Sequence, residues 1–345
     1  MTPGRRVALV VNPVATKVRG GLQERVHAVL EASGCSVEVA TTTAQGDGTR
    51  IGAELRGSGV DAVVTLGGDG VVNEVLGALL DSGLPVATMP GGNANVFARA
   101  TGWPRGGSDA IEALGAVMAE PEPRVLRMWR LRVGGVERLI ALNAGMGIDG
   151  ETVEWVETHP DLKRRFRHAA FLAAGMAAAR SVERRKPRIL VSVDGGPEQE
   201  FRTLLLAAGW PYSYIGGRPV DLLPSVDFAG EIAWSGLLEI DAKTIAKVTG
   251  GIILGATRLS RSGASSGTAR GRITATADQP IAVQADGEFL GTHDRIEIEP
   301  AGDVVVLTPP LKFRGPEPKL MPGNTPARDG KEADNREQPT TRPEG

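Results

Sequence analysis

Short apolar runs alternate with amphipathic stretches through the first third of the chain. Residues 6–11, 36–40, 62–66 and 84–89 are brief and rich in Val, Ala and Leu, the pattern of strands buried on both faces of a parallel sheet. Between them, 22–30, 49–55 and 71–80 read as helices; in the last, Val72, Val75, Leu76 and Leu79 fall on one face. A helix over 108–118 follows. This alternation predicts an open α/β sheet. Past 121–123, read as a hinge, the texture changes. Runs at 125–133, 137–143, 188–193, 201–207, 237–240, 272–276, 281–284, 295–298 and 304–307 are joined by short turns and predict a β-sandwich. They are interrupted at 159–186 by one long helical stretch, alanine-rich in the middle and basic at both ends.

Two of the predicted strands end in glycine turns that feed a helix. The first is Gly67, Gly68, Asp69, Gly70; the second is Pro90, Gly91, Gly92, Asn93, Ala94, Asn95. Glycine allows close backbone approach, and the free N–H groups at a helix start suit an anion such as phosphate. Asp69 is either a turn or cap residue, or a carboxylate facing a nucleotide or a hydroxyl that loses its proton. Glu74, one turn on, holds the turn or faces the same cleft. Asn93 and Asn95 cap the helix or bond a nucleotide. The first strand ends at Asn12-Pro13, where ligands meet open α/β sheets, and Lys17 and Arg19 follow as phosphate contacts or ordinary loop cations. The segment 145–150 satisfies G-x-G-x-x-G, yet no strand ending in an acidic residue follows about 20 residues on, so a dinucleotide site is not expected.

Composition narrows the classes. A chain of 345 residues with 41% hydrophobic content supports a sizeable core in two domains. A net charge of −2 and 4% aromatic content argue against nucleic-acid binding. One cysteine, Cys35, leaves no internal disulfide and no cysteine cluster for zinc, which favours an intracellular location. No apolar run is long enough to span a membrane. Residues 316–345, rich in Pro, Gly and charge, are expected to be disordered.

Asn12-Pro13, GGDG with Asn73-Glu74-Val75, and PGGNANVFAR, in this order at the ends of successive strands, resemble the diacylglycerol kinase catalytic family. The likeness extends to GMGIDG, Asp227 and Ala285-Asp286-Gly287-Glu288, covering roughly residues 5–310. It implies an N-terminal α/β nucleotide-binding domain over 1–122, a β-sandwich lipid-substrate domain over 123–315 whose end is free to return to the first, and an active site between them. It implies an ATP-dependent lipid kinase, with diacylglycerol the leading acceptor; the alternatives are another lipid kinase, NAD kinase, and a silent lipid- or nucleotide-binding protein. In the family's terms, Asn12, Lys17, Arg19, Gly67, Gly68, Gly70, Glu74, Gly91, Gly92, Asn93 and Asn95 surround the ATP phosphates. Asp149 and Asp227 match the acidic positions linked to Mg²⁺, and Asp69, Asp286 and Glu288 those of the chemistry. Two departures stand out: Val71 follows GGDG where bacterial members usually have Thr, and Asn93 and Val96 replace Thr and Asp of the second motif. Tyr212, Tyr214 and Ile215 line a lipid entrance or pack in the core. The expected partners are a lipid substrate, a membrane surface touched peripherally at the cytoplasmic face through the basic helix, and, as an open alternative, a second copy of the chain.

Overall fold

The computed structural model describes residues 4–18, 20–215, 218–241 and 264–314, and within these all side chains but those of 160–172 and 215. Arg19, the tail at 316–345 and the side chains of Lys163, Arg164, Arg165, Arg167 and Ile215 lie outside the described residues.

The first half alternates as the pattern predicts. β1 (Arg6–Val11), α1 (Leu22–Ala32), β2 (Ser36–Thr41), α2 (Asp47–Leu55), β3 (Ala62–Gly67), α3 (Asp69–Ala78) and β4 (Val86–Pro90) are followed by α4 (Val96–Ala100) and α5 (Gly107–Ala119). The strands lie parallel in the order β2-β1-β3-β4. Strand periodicity splits β1 between two cores: Val7, Leu9 and Val11 pack with Leu22, Val26 and Leu114, whereas Ala8 and Val10 pack with Val71, Val72 and Val75. Both faces are covered by helices, which is why the strands carry no polar alternation.

The second half comprises β5 (Glu122–Val133), β6 (Val136–Ile140), β7 (Asn143–Met146), α6 (Ile148–Thr158), α7 (Pro160–Arg185), β8 (Ile189–Val193), β9 (Gln199–Phe201), β10 (Thr203–Ala207), β11 (Ser213–Ile215), β12 (Arg218–Val220), β13 (Ile232–Leu237), β14 (Ala264–Ala269), β15 (Ile273–Ala285) and β16 (Glu288–Thr308). It forms a β-sandwich-like unit, but its strands share one 14-stranded hydrogen-bonded network with the first half. The link is β16, which pairs antiparallel with β15 and β5 and then sets Val306 and Leu307 parallel beside Val86 and Ala87 of β4.

Several expected boundaries move, each for a local reason. The hinge at 121–123 is instead the start of β5, with Pro123 opposite Leu307. The runs 272–276 and 281–284 belong to one strand, as do 295–298 and 304–307, because bulges between Thr276 and Ile281 and between Pro300 and Gly302 bend the ladders without ending them. Strand 137–143 breaks into β6 and β7: the N–H groups of Ala141, Leu142 and Asn143 turn to the Asp286 carboxylate. The strand expected at 237–240 lies earlier, as β13.

Candidate active site

The two glycine turns are packed backbone against backbone. Gly67 at the end of β3 sits opposite Pro90 at the end of β4, and the Gly67 carbonyl accepts the N–H groups of Gly91 at 2.7 Å and Gly92 at 3.0 Å. A Cβ on Gly91 would lie 2.9 Å from the Gly67 nitrogen, and one on Gly92 would lie 2.7 Å from the Gly68 Cα. These glycines are therefore fixed by each other. Gly68 and Gly70 differ: a Cβ on Gly68 would meet only the Gly92 Cα, at 3.6 Å, and one on Gly70 nothing within 4 Å. Their open side adjoins the start of α3, whose first N–H groups have no side-chain cap. Uncapped helix N–H groups beside bare glycine backbone suit phosphate oxygens.

Asp69 turns away from that open side. Its two carboxylate oxygens accept the N–H groups of Val96 at 3.0 Å and Phe97 at 2.9 Å, so the residue caps α4 and ties one glycine turn to the other. Burial pushes its carboxyl up, against the lowering by those N–H bonds and by Arg99. Asn95, held in the left-handed region at φ 46°, accepts the Gly92 N–H and donates to the Gly92 carbonyl, each at 2.8 Å. That amide is engaged inside the turn, the first of the two roles expected for it. Glu74 accepts from Gly46 at 2.9 Å and Gly48 at 2.8 Å, capping α2. Asn12 accepts the Val14 N–H at 3.2 Å in a turn after β1. Lys17 donates its backbone N–H to the Gly91 carbonyl at 2.8 Å and its Nζ to the Arg105 carbonyl at 3.0 Å, which keeps its ammonium at the second turn. Asn93 is exposed there.

The hairpin between β15 and β16 reaches α3 one turn beyond the first glycine turn. Asp286, at φ 49°, accepts from Ala141 and Leu142 at 2.8 Å, from Asn143 at 2.9 Å and from the Asn73 amide of α3. Asn73 also donates to the Leu139 carbonyl at 3.0 Å, so α3 is pinned to the second half directly behind the first glycine turn. Burial drives the Asp286 carboxyl up to about 6, the N–H bonds oppose it, and the Asp69 charge adds to the rise. Glu288 follows with its side chain 45% exposed and ion-paired to Arg138. Of the three expected catalytic carboxylates, Asp69 and Asp286 are held by backbone N–H groups and Glu288 projects.

Asp149 and Asp227 do not make a common metal site. Asp149 accepts from the Tyr212 hydroxyl and the Gln284 amide, and burial raises its carboxyl. A Cβ at Gly145 would lie 2.2 Å from the Asp149 Oδ2, which explains the first glycine of GMGIDG. Asp227 is exposed and accepts the Ala229 N–H at 3.0 Å in a turn. Among the described residues no group of three His, Cys, Asp or Glu gathers as metal ligands would. Magnesium is usually held by one or two carboxylates together with substrate phosphates, so a protein cage is not required.

Four residues that the sequence reading left without a role complete the site. Asn73 and Arg99 stood inside quoted motifs, and their partners are distant in sequence. Gln284, fully buried, bonds Asn143 at 3.0 Å and accepts the Gly287 N–H at 2.9 Å, which fixes the hairpin; Asn143 in turn donates to the Tyr212 carbonyl at 2.9 Å. Arg99 lies over the Tyr214 ring, 3.3 Å from its centroid, and Phe97 meets Phe228 edge-on at 5.9 Å. The helix of the second motif thus touches both halves.

Residues 6–124 match the diacylglycerol kinase catalytic domain. The match covers about the first third of the chain. A protein of Stenotrophomonas maltophilia named "Probable lipid kinase YegS-like" is 31% identical over 44% of this chain and 48% of its own length, so the chain spans about half of that relative. A protein of the same name from Xanthomonas oryzae pv. oryzae is 26% identical over 85% of this chain and 93% of its own length. The crystal structure of a diacylglycerol kinase from Bacillus anthracis str. Sterne covers 90% of this chain and 99% of its own with a TM-score of 0.62; at 21% identity it speaks for the fold.

Proposed function

We propose that this protein is a lipid kinase of the diacylglycerol kinase catalytic family, which transfers the γ-phosphoryl group of ATP to the hydroxyl of a lipid alcohol, with diacylglycerol the leading acceptor. The observation that carries the reading is the pair of interlocked glycine turns, with an open side at an uncapped α3 N-terminus, on the helix whose Asn73 bonds Asp286 of the hairpin that leads into Glu288. Magnesium, entering with the nucleotide, would neutralise phosphate charge.

The residues divide the work. Gly68 and Gly70 leave room for phosphate oxygens against backbone N–H groups, and Lys17 offers its ammonium at the second turn. Glu288 is the better base: both Asp69 oxygens already accept backbone N–H bonds, whereas the Glu288 side chain is half-exposed at the start of β16 with Arg138 to orient it. The hydroxyl oxygen forms the new bond to Pγ as the bond from Pγ to the bridging oxygen of ADP breaks, and the hydroxyl proton passes to a Glu288 carboxylate oxygen. Asp286, through Asn73, sets the hairpin against α3.

Lipid access implies a membrane surface. No helix among the described residues is long and apolar enough to cross a membrane. The surface proposed to rest on anionic headgroups is the C-terminal part of α7, where Arg180 and Arg184 are exposed along a groove with Ala177 and Ser181. Arg185, at the same end, is engaged by Glu151.

Incubation with radiolabelled ATP, magnesium and a panel of diacylglycerol, sphingoid and monoacyl lipids, with NAD alongside, tests the reading. Label in one lipid product is expected. Label in NAD, or in nothing, rejects it.

A further inference from the structure

We propose that Phe228 is a positioning residue for phosphate: its ring, carried by the second half, sets the short helix α4 and with it the second glycine turn. The inference rests on the phosphoryl-transfer reading above, because that turn is half of the proposed phosphate cradle.

The first observation is a backbone angle. Phe228 has φ 67°, in the left-handed region where a Cβ crowds the backbone and glycine is the usual occupant. A phenylalanine kept there lowers stability unless its ring is needed at that spot. The backbone is held from two sides: the Phe228 carbonyl accepts the Arg127 N–H of β5 at 2.7 Å, and Asp227 bridges to Gly209. The second observation is where the ring goes. It is 4% exposed and fills the place of a side chain at Gly209, where a Cβ would collide with it. From there it meets Phe97 edge-on, with centroids 5.9 Å apart, the geometry that aromatic pairs prefer. A bare position and a strained one thus serve a single contact with α4.

The third observation is what that helix is. Five residues long, Val96–Ala100, α4 is too short to hold itself and takes its orientation from its contacts. The N–H groups of Val96 and Phe97 are bonded by the Asp69 carboxylate of the first glycine turn, and Asn95 of the second turn is the N-cap. Phe97 therefore carries two ties, one to the first turn through its N–H and one to the second half through its ring. A shift of the ring tilts α4 and drags Asn95, whose amide closes the turn on Gly92. The contact makes the shape of the phosphate cradle depend on the half that carries Glu288.

The test reads amide hydrogen exchange at Val96 and Phe97 by NMR without ligand, calorimetric affinity for inorganic tripolyphosphate, KM for ATP and for the lipid that wild type phosphorylates, and melting temperature. In Phe228→Leu, exchange at both amides is expected to quicken and tripolyphosphate affinity to fall, each by about 2–10-fold, the range of one edge-to-face ring pair. KM for ATP is expected to rise and KM for lipid to stay. Phe97→Leu removes the contact from the other side and is expected to do the same. Phe201→Leu, which takes a ring from beside Trp234 in the core of the second half, is the control for stability alone: it is expected to melt lower and keep wild-type exchange and affinity. Phe228→Gly is expected to melt above Phe228→Ala, because glycine relieves the left-handed angle, yet to bind tripolyphosphate no better. Wild-type exchange and affinity in a folded Phe228→Leu protein overturn the proposal, as does an equal loss in Phe201→Leu at equal melting temperature. If wild type phosphorylates no lipid, or binds no tripolyphosphate, the kinase reading fails, while exchange at Val96 and Phe97 still decides the role of Phe228.

Discussion

Asp286 and Asp69 are carboxylates whose partners are mainly backbone N–H groups, and the bonds that make them useful also fix what their replacement does. Burial is the larger force on Asp286, and it lifts the carboxyl to about 6 from an ordinary 3.8. The folded protein then holds a proton that the unfolded chain has given up between about pH 4 and 6. The stability from this group is present below about pH 4 and is lost as the pH rises through about 6. Urea melts at pH 4.5 and 7.5 are expected to show a smaller stability loss on going to pH 7.5 in Asp286→Asn than in wild type. The second comparison separates a base from a strut. Glu288→Gln is expected to lower kcat by about 10²–10⁴-fold at unchanged melting temperature. Asp69→Asn puts an amide against the N–H groups of Val96 or Phe97 and is expected to cost about 1–3 kcal/mol of stability, read from the same melts. Near-normal turnover in Glu288→Gln would return the base to Asp69.

At the scale of elements, the glycine turns were legible because each follows a short Val- or Met-bearing run that nothing but a strand explains, and each precedes helical spacing. Their mutual packing was not legible. The 2.7 Å approach of a Gly92 Cβ to Gly68 is a fact about two strands in register, which no single segment carries. Hence the two turns answer differently to the same change. Gly68 is extended, at φ −97° and ψ −176°, and has space on one side. Gly68→Val is expected to fold and to lose ATP affinity by calorimetry, whereas Gly92→Val is expected to lower the melting temperature first, by forcing the turns apart. The break between β6 and β7 escaped sequence reading for a related reason: the carboxylate that captures 141–143 lies far along the chain. Helix α7 was legible as a helix with basic ends, and its surface use is measurable. Arg180→Gln with Arg184→Gln is expected to reduce co-sedimentation with anionic vesicles and leave neutral vesicles unaffected, and about 1 M salt to have the same effect on wild type. Equal sedimentation of both proteins with both vesicles would make α7 a packing helix only.

For the whole molecule, the alternation of runs foretold an α/β half and a strand-rich half. What spacing alone could not state is how the halves are joined. Strand β16 is 21 residues long, begins at the proposed base and ends beside β4. Its continuity was hidden by the bulge between Pro300 and Gly302, which reads in sequence as a turn. This strand also sets an order of events during synthesis. The N-terminal sheet emerges from the ribosome with one edge of β4 bare, and the segment that covers it is translated roughly 220 residues later, on the order of 10–40 s at bacterial and eukaryotic elongation rates. Until then the N-terminal half is a nascent sheet with an open flank, exposed to the hazards of any uncovered strand. The same delay is a safeguard: the N-terminal half gains its last strand only after the hairpin carrying Glu288 has been made, so a ribosome that stops early leaves no finished sheet behind.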